Sequence, residues 1–249
     1  MAKQDSFIKI RGTLDGLTFY KSIDGHLIRR KGGVSRARIM NDPNFIRTRE
    51  NIAEFGSTAH SGKLLRFAIG TMLHRAKDPR MSSRMLSVLS KVQKLDGVSA
   101  RGQRSVKEGL LTVAGKSLLK GFDFNNRATF QSVFHSSYSL DSTTGVVTIS
   151  DFVSLDHLTI PQGATHVSFR NAFLSLDFTS GEFDTKYSPA INKALDMNSS
   201  TITLTPAAVP GGTGLKLYLL LIEFFQEVNG VQYPLSNNEF NVLHLLDVV

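Results

Sequence analysis

The chain contains no cysteine, which excludes disulfide frameworks, thiolate metal sites and cysteine nucleophiles together. Long apolar runs are also missing. The longest, Leu215 to Phe225, is interrupted by Lys216 and Glu223 and falls far short of the roughly 18–20 apolar residues that cross a membrane as a helix. The opening segment, MAKQDSFIKIRG, carries Asp5 and then alternates, so it lacks the apolar core of a secretory signal. These absences predict a soluble protein, cytoplasmic or particle-associated, with no membrane span.

Catalytic signatures are scarce as well. His26, His60, His74, His135, His157, His166 and His244 include no pair at the three- or four-residue spacing that sets two ligands on one helix face. Neither Gly-x-Ser-x-Gly nor His-Glu-x-x-His occurs. Asp123 with Asn125 and Asp196 with Asn198 open like calcium loops but lack the glycine and bidentate glutamate that complete one. The stretch Gly109 to Ser117 approaches a phosphate-binding loop, yet five residues instead of four separate Gly109 from Gly115-Lys116-Ser117, Leu110 stands where a glycine belongs, and no strand precedes it. A helix face with glycines at close contacts is the better reading. The sequence therefore predicts no enzyme activity, no cofactor, no metal and no small-molecule substrate.

Charge is plentiful and uneven. The net charge is +8, but Met1 to Lys120 holds 24 basic and 9 acidic residues, while Gly121 to Val249 holds 5 basic and 12 acidic. A hydrophobic fraction of 41% with 17 phenylalanines is enough to build a core and excludes a disordered basic tail. Two domains follow, a basic one over 1–121 and an acidic one over 122–249.

The first 33 residues place Asp15-Gly16, Asp24-Gly25 and Gly32-Gly33 between short β-prone runs, which predicts a three-stranded meander. So small a sheet needs helices or a neighbouring molecule to cover it. Asn41-Asp42-Pro43 predicts a helix over Pro43 to Phe55. Breakers around Gly56 to Ser61 precede a second, carrying Leu64, Leu65, Ala68, Ile69, Met72 and Leu73. Asp78-Pro79 opens a third, with Met81, Met85, Val88, Leu89, Val92 and Leu95 on one face, ended by Asp96-Gly97. Ser105 and Glu108 form a capping box for a fourth that runs to Leu119 and stops at Gly121. Beyond it the period becomes strand-like, and six or seven strands, with Asn229-Gly230 as a hairpin turn and Tyr187 to Met197 as a short helix or irregular crossover, predict an immunoglobulin-like antiparallel β-sandwich. The fold class is thus α+β. Leu215 to Val228 reads as a central strand buried on both faces, or as an edge open to strand addition between subunits.

The densest cationic stretch comprises Lys21, Arg29, Arg30, Lys31, Arg36, Arg38, Arg47 and Arg49, interleaved with Phe19, Tyr20 and Phe45. Such a surface suits phosphates, hence nucleic acid or another polyanion. It also suits the acidic half of a second copy. Asp177, Glu182, Asp184, Glu223 and Glu227 are the expected acidic counterparts, and head-to-tail contact of opposite charges yields rings or filaments. The favoured expectation is a structural subunit that self-assembles into a filament or phage-like particle; the alternative is a nucleic-acid-binding protein.

Gly12-Thr13-Leu14-Asp15-Gly16-Leu17-Thr18-Phe19-Tyr20-Lys21, Lys31-Gly32-Gly33-Val34-Ser35, Asp42-Pro43-Asn44-Phe45-Ile46-Arg47, Ser99-Ala100-Arg101-Gly102-Gln103-Arg104 and Pro161-Gln162-Gly163-Ala164-Thr165-His166 together resemble a family of uncharacterised proteins encoded by Bacteroidota. The resemblance spans nearly the whole chain. It implies a bacterial source and a two-part layout, and no activity or site residue.

Overall fold

A computed structural model describes residues 2–5, 7–30, 32–235 and 239–249. The fold is α+β, and the chain divides into two compact units, Met1–Ile52 and Ala53–Val249.

In the first unit, β1 (Ala2–Lys3), β2 (Gly12–Leu14), β3 (Leu17–Ser22) and β4 (Gly25–Arg30) form an antiparallel sheet in the order β1-β4-β3-β2. Asp15 and Gly16 both take positive φ, 46° and 76°, the twist that lets a two-residue turn close Leu14 against Leu17. The predicted meander is present, with β1 added through its pairing to Leu27 and Ile28. Next comes α1 (Arg36–Asn41), capped by the Ser35 hydroxyl. The Asp42 carboxylate accepts the Asn44 N–H at 2.9 Å and starts the turn at Pro43 that leads into α2 (Ile46–Ile69). No described residue of 2–52 is buried.

Helix α2 runs unbroken for 24 residues, through the Gly56 to Ser61 stretch where the sequence predicts a break. The hydroxyls of Thr58 and Ser61 bond back to the carbonyls of Glu54 and Ser57, so they do not compete for chain direction. A Cβ on Gly62 would lie 3.5 Å from Leu89, an ordinary van der Waals contact, so this glycine sits against α4 without strain. After α2 come α3 (Thr71–Arg75), α4 (Met81–Gln93), α5 (Val106–Leu110), α6 (Val113–Leu119) and α7 (Phe130–Val133). Helix α4 buries Met81, Met85, Leu89 and Val92 as its period predicts. The expected fourth helix is split at Thr112, whose hydroxyl accepts the Gly115 N–H and restarts the chain as α6. A Cβ on Gly109 would lie 2.1 Å from the Val92 carbonyl oxygen, and one on Gly115 2.0 Å from that of Gly109. The phosphate-loop look-alike is therefore a helix crossing that glycine makes possible.

The strands follow: β5 (Ser139–Leu140), β6 (Val147–Phe152), then α8 (Ser154–His157), β7 (His166–Leu176), β8 (Phe183–Tyr187), β9 (Ile191–Ala194), β10 (Ser200–Leu204), β11 (Leu215–Val228), β12 (Val231–Pro234) and β13 (Val242–Val248). Across residues 187–197, Tyr187 ends β8, Ile191–Ala194 form β9 and the remainder is irregular, so the segment is an irregular connection carrying a short strand and not a helix. Strands β7, β8, β9, β11, β12 and β13 make one antiparallel sheet, and β10, β6 and β5 a smaller one. Strand β11 is central: β7 flanks it along Leu215 to Phe225, with β13 and β12 on its other side. The last strand is not a free edge either, because Gly121, Phe122 and Phe124 exchange backbone hydrogen bonds with Leu243 and Leu245.

Alternation along these strands feeds two cores. Leu217, Leu219 and Leu221 join Leu174, Leu245 and helix residues such as Leu65, Met85 and Leu110. Tyr218, Leu220, Ile222 and Phe224 join Phe169 and Phe173 of the neighbouring β7 and Val147, Ile149 and Ile202 of the facing three-stranded sheet. The helices of 53–119 thus share a core with the large sheet, and the boundary expected at 121/122 lies inside the second unit.

Asp96 fixes the turn after α4. It accepts the N–H groups of Val98, Ser99 and Ser105 at 2.8–2.9 Å. Burial opposes its ionisation, but the Ser99 and Ser105 amides outweigh it and hold the carboxyl at about 2. Because the folded value lies below the ordinary 3.8, this contribution is complete above pH 4 and lost as pH falls towards 2. Asp96→Ala lowers the unfolding free energy by about 2–4 kcal/mol, since three amides lose their acceptor. In urea titrations the gap from the parent closes between pH 4 and pH 2. Gly109→Ala costs more than about 2 kcal/mol in the same assay, as backbone, not a flexible side chain, must move.

Candidate assembly surfaces

The described members of the basic set all lie in the first unit: Lys21 on β3, Arg29 and Arg30 ending β4, Arg36 and Arg38 on α1, Arg47 and Arg49 opening α2. Lys31 lies outside the described residues. Three of them already have partners in the chain. Arg38 meets Asp42 at 3.3 Å and Arg47 meets Glu50 at 3.0 Å, while Arg49 donates to the Ile39 and Asp42 carbonyls at 2.8 and 2.9 Å. Lys21, Arg30 and Arg36 form no ion pair with any described residue, and Arg29 lies over the Tyr20 ring at 5.6 Å. The local field is positive: after partial burial, the cations of Arg11, Lys21 and Lys9 push the His26 imidazole below its ordinary value.

Three of the five acidic candidates meet in the second unit. Asp177, Glu182 and Asp184 line one cavity of about 510 Å³ with Phe183 and the loop Gly211 to Gly214. The β7–β8 turn brings them together, as Gly181 donates to the Asp177 carbonyl and Asp177 to that of Glu182, both at 2.9 Å. Glu182 and Asp184, two apart, then face the same way. Gly214 completes the cavity wall, for a Cβ there would sit 2.3 Å from the Leu176 carbonyl carbon. Lys186 at 2.9 Å and the Gly211 N–H at 2.8 Å hold Asp184 ionised below the usual range. The Thr179 N–H does the same for Asp177. Glu182 has no ion-pair partner among the described residues.

The other two lie elsewhere. Glu223, only 7% exposed in its side chain, accepts from Arg75 at 3.0 Å, tying α3 to β11. It is a buried internal clamp and presents no carboxylate to another molecule. Glu227 is exposed at the end of β11, near His166 and Gln232. Lys120 with Asp247 at 3.1 Å makes a second helix-to-sheet pair.

A second cavity, of about 520 Å³, was not singled out by the sequence. Lys63, Arg66, His74 and Lys77 line it with Phe67. These side chains are spread over α2, α3 and the turn after it, so no dense run announces them; only the i, i+3 spacing of Lys63 and Arg66 does. The remaining titratable pair of note is His244 with Asp123, Nδ1 to Oδ1 at 2.7 Å. Phe130 stacks on the imidazole at 4.5 Å, and its N–H bonds the same carboxylate oxygen. That arrangement pins residues 121–124 to β13.

Among the described residues no group of three or more His, Asp or Glu side chains is placed to hold a metal, and no helix is long and apolar enough to cross a membrane. Comparison with protein-family models, curated proteins and solved structures finds no match. The surfaces must therefore be interpreted on their own geometry.

Breaking the internal clamp separates stability from assembly. Arg75→Ala leaves the buried Glu223 carboxylate unpaired and costs about 2–3 kcal/mol in denaturant unfolding. Lys186→Ala, which removes a half-exposed pair, costs less than about 1 kcal/mol.

Proposed function

We propose that this protein is a non-enzymatic structural subunit that self-assembles, as a filament or phage-like particle, through surfaces of opposite charge. The observation that carries this reading is the first unit. It holds eleven basic and five acidic residues, and its four-stranded sheet has no buried residue. Leu14, Leu17 and Ile23 are exposed and Phe19, Tyr20, Leu27 and Ile28 only half covered. Ordering each residue costs about 1–2 kcal/mol, whereas a fully buried large apolar side chain returns about 1.5–3 kcal/mol. A sheet that buries none of them gains from a further surface, and an acidic surface of another copy suits its charge. Exposed carboxylate outside the β7–β8 turn, such as that of Glu227 at the end of β11, supports the other side of such a contact. An immunoglobulin-like arrangement of the strands belongs to this proposal, supported by the stacking of the three-stranded sheet on the larger one. So do the bacterial source and a cytoplasmic or particle-associated location.

Nucleic-acid binding is the second reading, favoured by Lys21, Arg30 and Arg36, which form no ion pair among the described residues, and by Arg29 over Tyr20. Light scattering after size exclusion, on nucleic-acid-free protein, distinguishes the two. Assembly at about 50 mM salt that dissolves by about 500 mM, where screening is near complete, is the expected result. Arg29→Glu combined with Arg30→Glu shifts that transition to lower salt. A monomer at high concentration and low salt overturns the proposal, and a low-salt gel shift by that monomer establishes the second reading.

A further inference from the structure

The acidic and basic cavities of the second unit are neighbours on one face, and they share a wall. Strand β8 lies along the end of α2: Thr185 donates to the Ala68 carbonyl at 2.8 Å and Tyr187 to that of Ile69 at 3.0 Å, with Gly181 against Leu64. Between the cavities stand two phenylalanines, Phe183 lining the acidic one and Phe67 the basic one. Their rings meet edge to face at 5.6 Å and 89°. Both are solvent-exposed, Phe67 by 71% and Phe183 by 41%. An aromatic ridge of this kind stabilises the monomer little while uncovered, and exposed aromatics in a well-defined site are the usual anchors of protein contacts.

Among the described residues, most charges of each cavity are left without an ion-pair partner. Lys63, Arg66, His74 and Lys77 make no ion pair among the described residues. Asp78, at the floor of that cavity, is fully engaged by Arg84 and by the N–H groups of Arg80 and Asn126. On the acidic side Lys186 answers Asp184, and among the described residues Asp177 and Glu182 form no salt bridge, Asp177 feeling only the nearby charge of Lys107. The two volumes are nearly equal, about 510 and 520 Å³.

We propose that this face is a self-complementary dimer contact, in which the acidic cavity of one copy receives the basic rim of a second copy and the Phe67–Phe183 ridges pack on each other at a two-fold axis. A two-fold axis running along the ridge exchanges the two sides of the face, so acidic meets basic twice and aromatic meets aromatic once. That is the geometry of an isologous contact, where one patch serves both partners. Charge complementarity selects the second copy as occupant: a simple polyanion would fill only the basic side and a polycation only the acidic side. The inference rests on the self-assembly reading and supplies it with a specific building unit, distinct from the contact through the first unit.

The test uses full-length protein and sedimentation equilibrium at low salt. Glu182→Lys sets cation against cation, and Lys63→Glu sets anion against anion; each is expected to weaken dimerisation at least tenfold. Phe67→Ser does the same without changing charge. An equimolar mixture of the two reversed proteins restores dimers, because each then offers the other matching cavities, and the double variant Glu182→Lys with Lys63→Glu restores them in one chain. Wild-type affinity in the single variants, or no recovery in the mixture and the double variant, overturns the proposal. If those variants assemble normally while Arg29→Glu with Arg30→Glu does not, this face is wrong and assembly through the first unit stands. A wild-type protein that never leaves the monomer removes both.

Discussion

Strand β11 has no solvent face from Leu217 to Phe224, and the second unit is built around that fact. Its backbone groups are taken up by β7 on one side and by β13 and β12 on the other, and both its faces are covered by other layers, so its buried side chains are apolar in both directions except for Glu223, which Arg75 answers. Leu217, Leu219 and Leu221 call for a helical layer; Tyr218, Leu220, Ile222 and Phe224 call for a facing sheet. Each layer follows from one parity of a single strand. Seven buried side chains at about 1.5–3 kcal/mol each exceed the net stability of a typical domain, so no other element of the unit is as costly to expose. The helices of 53–119 belong to this unit for the same reason, despite their opposite charge.

That opposition is partly discharged within the molecule. The helical segment is rich in cations and the strand segment in carboxylates, and Arg75 with Glu223 and Lys120 with Asp247 join them across the layer. Glu54, buried on α2, is answered inside the helical layer by Arg104 at 2.8 Å and by the Gly102 N–H, which together overcome the effect of burial and keep its pKa low. Part of what the layers do not neutralise lies where α2 meets β8, with Lys63, Arg66 and Lys77 on the side of Phe67 and carboxylates on the side of Phe183. The uneven charge of the sequence is therefore a sum of two populations, one internal and structural, the other presented outward.

Periodicity and turn chemistry made much of the fold legible. The Asp15-Gly16 and Asn229-Gly230 turns, the Ser105 cap and the apolar face of α4 are local, and local rules suffice for them. The run from Leu215 to Phe225 announced burial on both faces, but not which layers would supply it, because that depends on pairings with β7 and β13 distant in sequence. The break expected at Gly56 to Ser61 failed for a similar reason: Thr58 is held by Gln93, 35 residues away, and tertiary contact overrides weak helix propensity. For the sites, adjacency in sequence was informative where a hairpin made it adjacency in space, as with Asp177, Glu182 and Asp184. It misled at Glu223, whose parity on β11 turns it towards α3. The cations opposite were invisible as a set, since only the stacking of β8 on α2 brings Lys63 and Lys77 to the same face as the acidic turn.

The two units pose different physical problems, and this bears on how an assembly would form. The second has two cores and internal ion pairs, so its surface contacts are additions to a structure already stable. The first has hairpins of well-chosen turn chemistry and no buried residue, so for it a covering surface is part of folding as well as of binding. Contacts through the first unit therefore carry an ordering cost that contacts through the second unit do not. A preformed face such as the Phe67–Phe183 ridge would then associate at lower concentration, and the sheet of the first unit would be covered afterwards, once neighbours are already in place and its ordering is helped by their high local concentration.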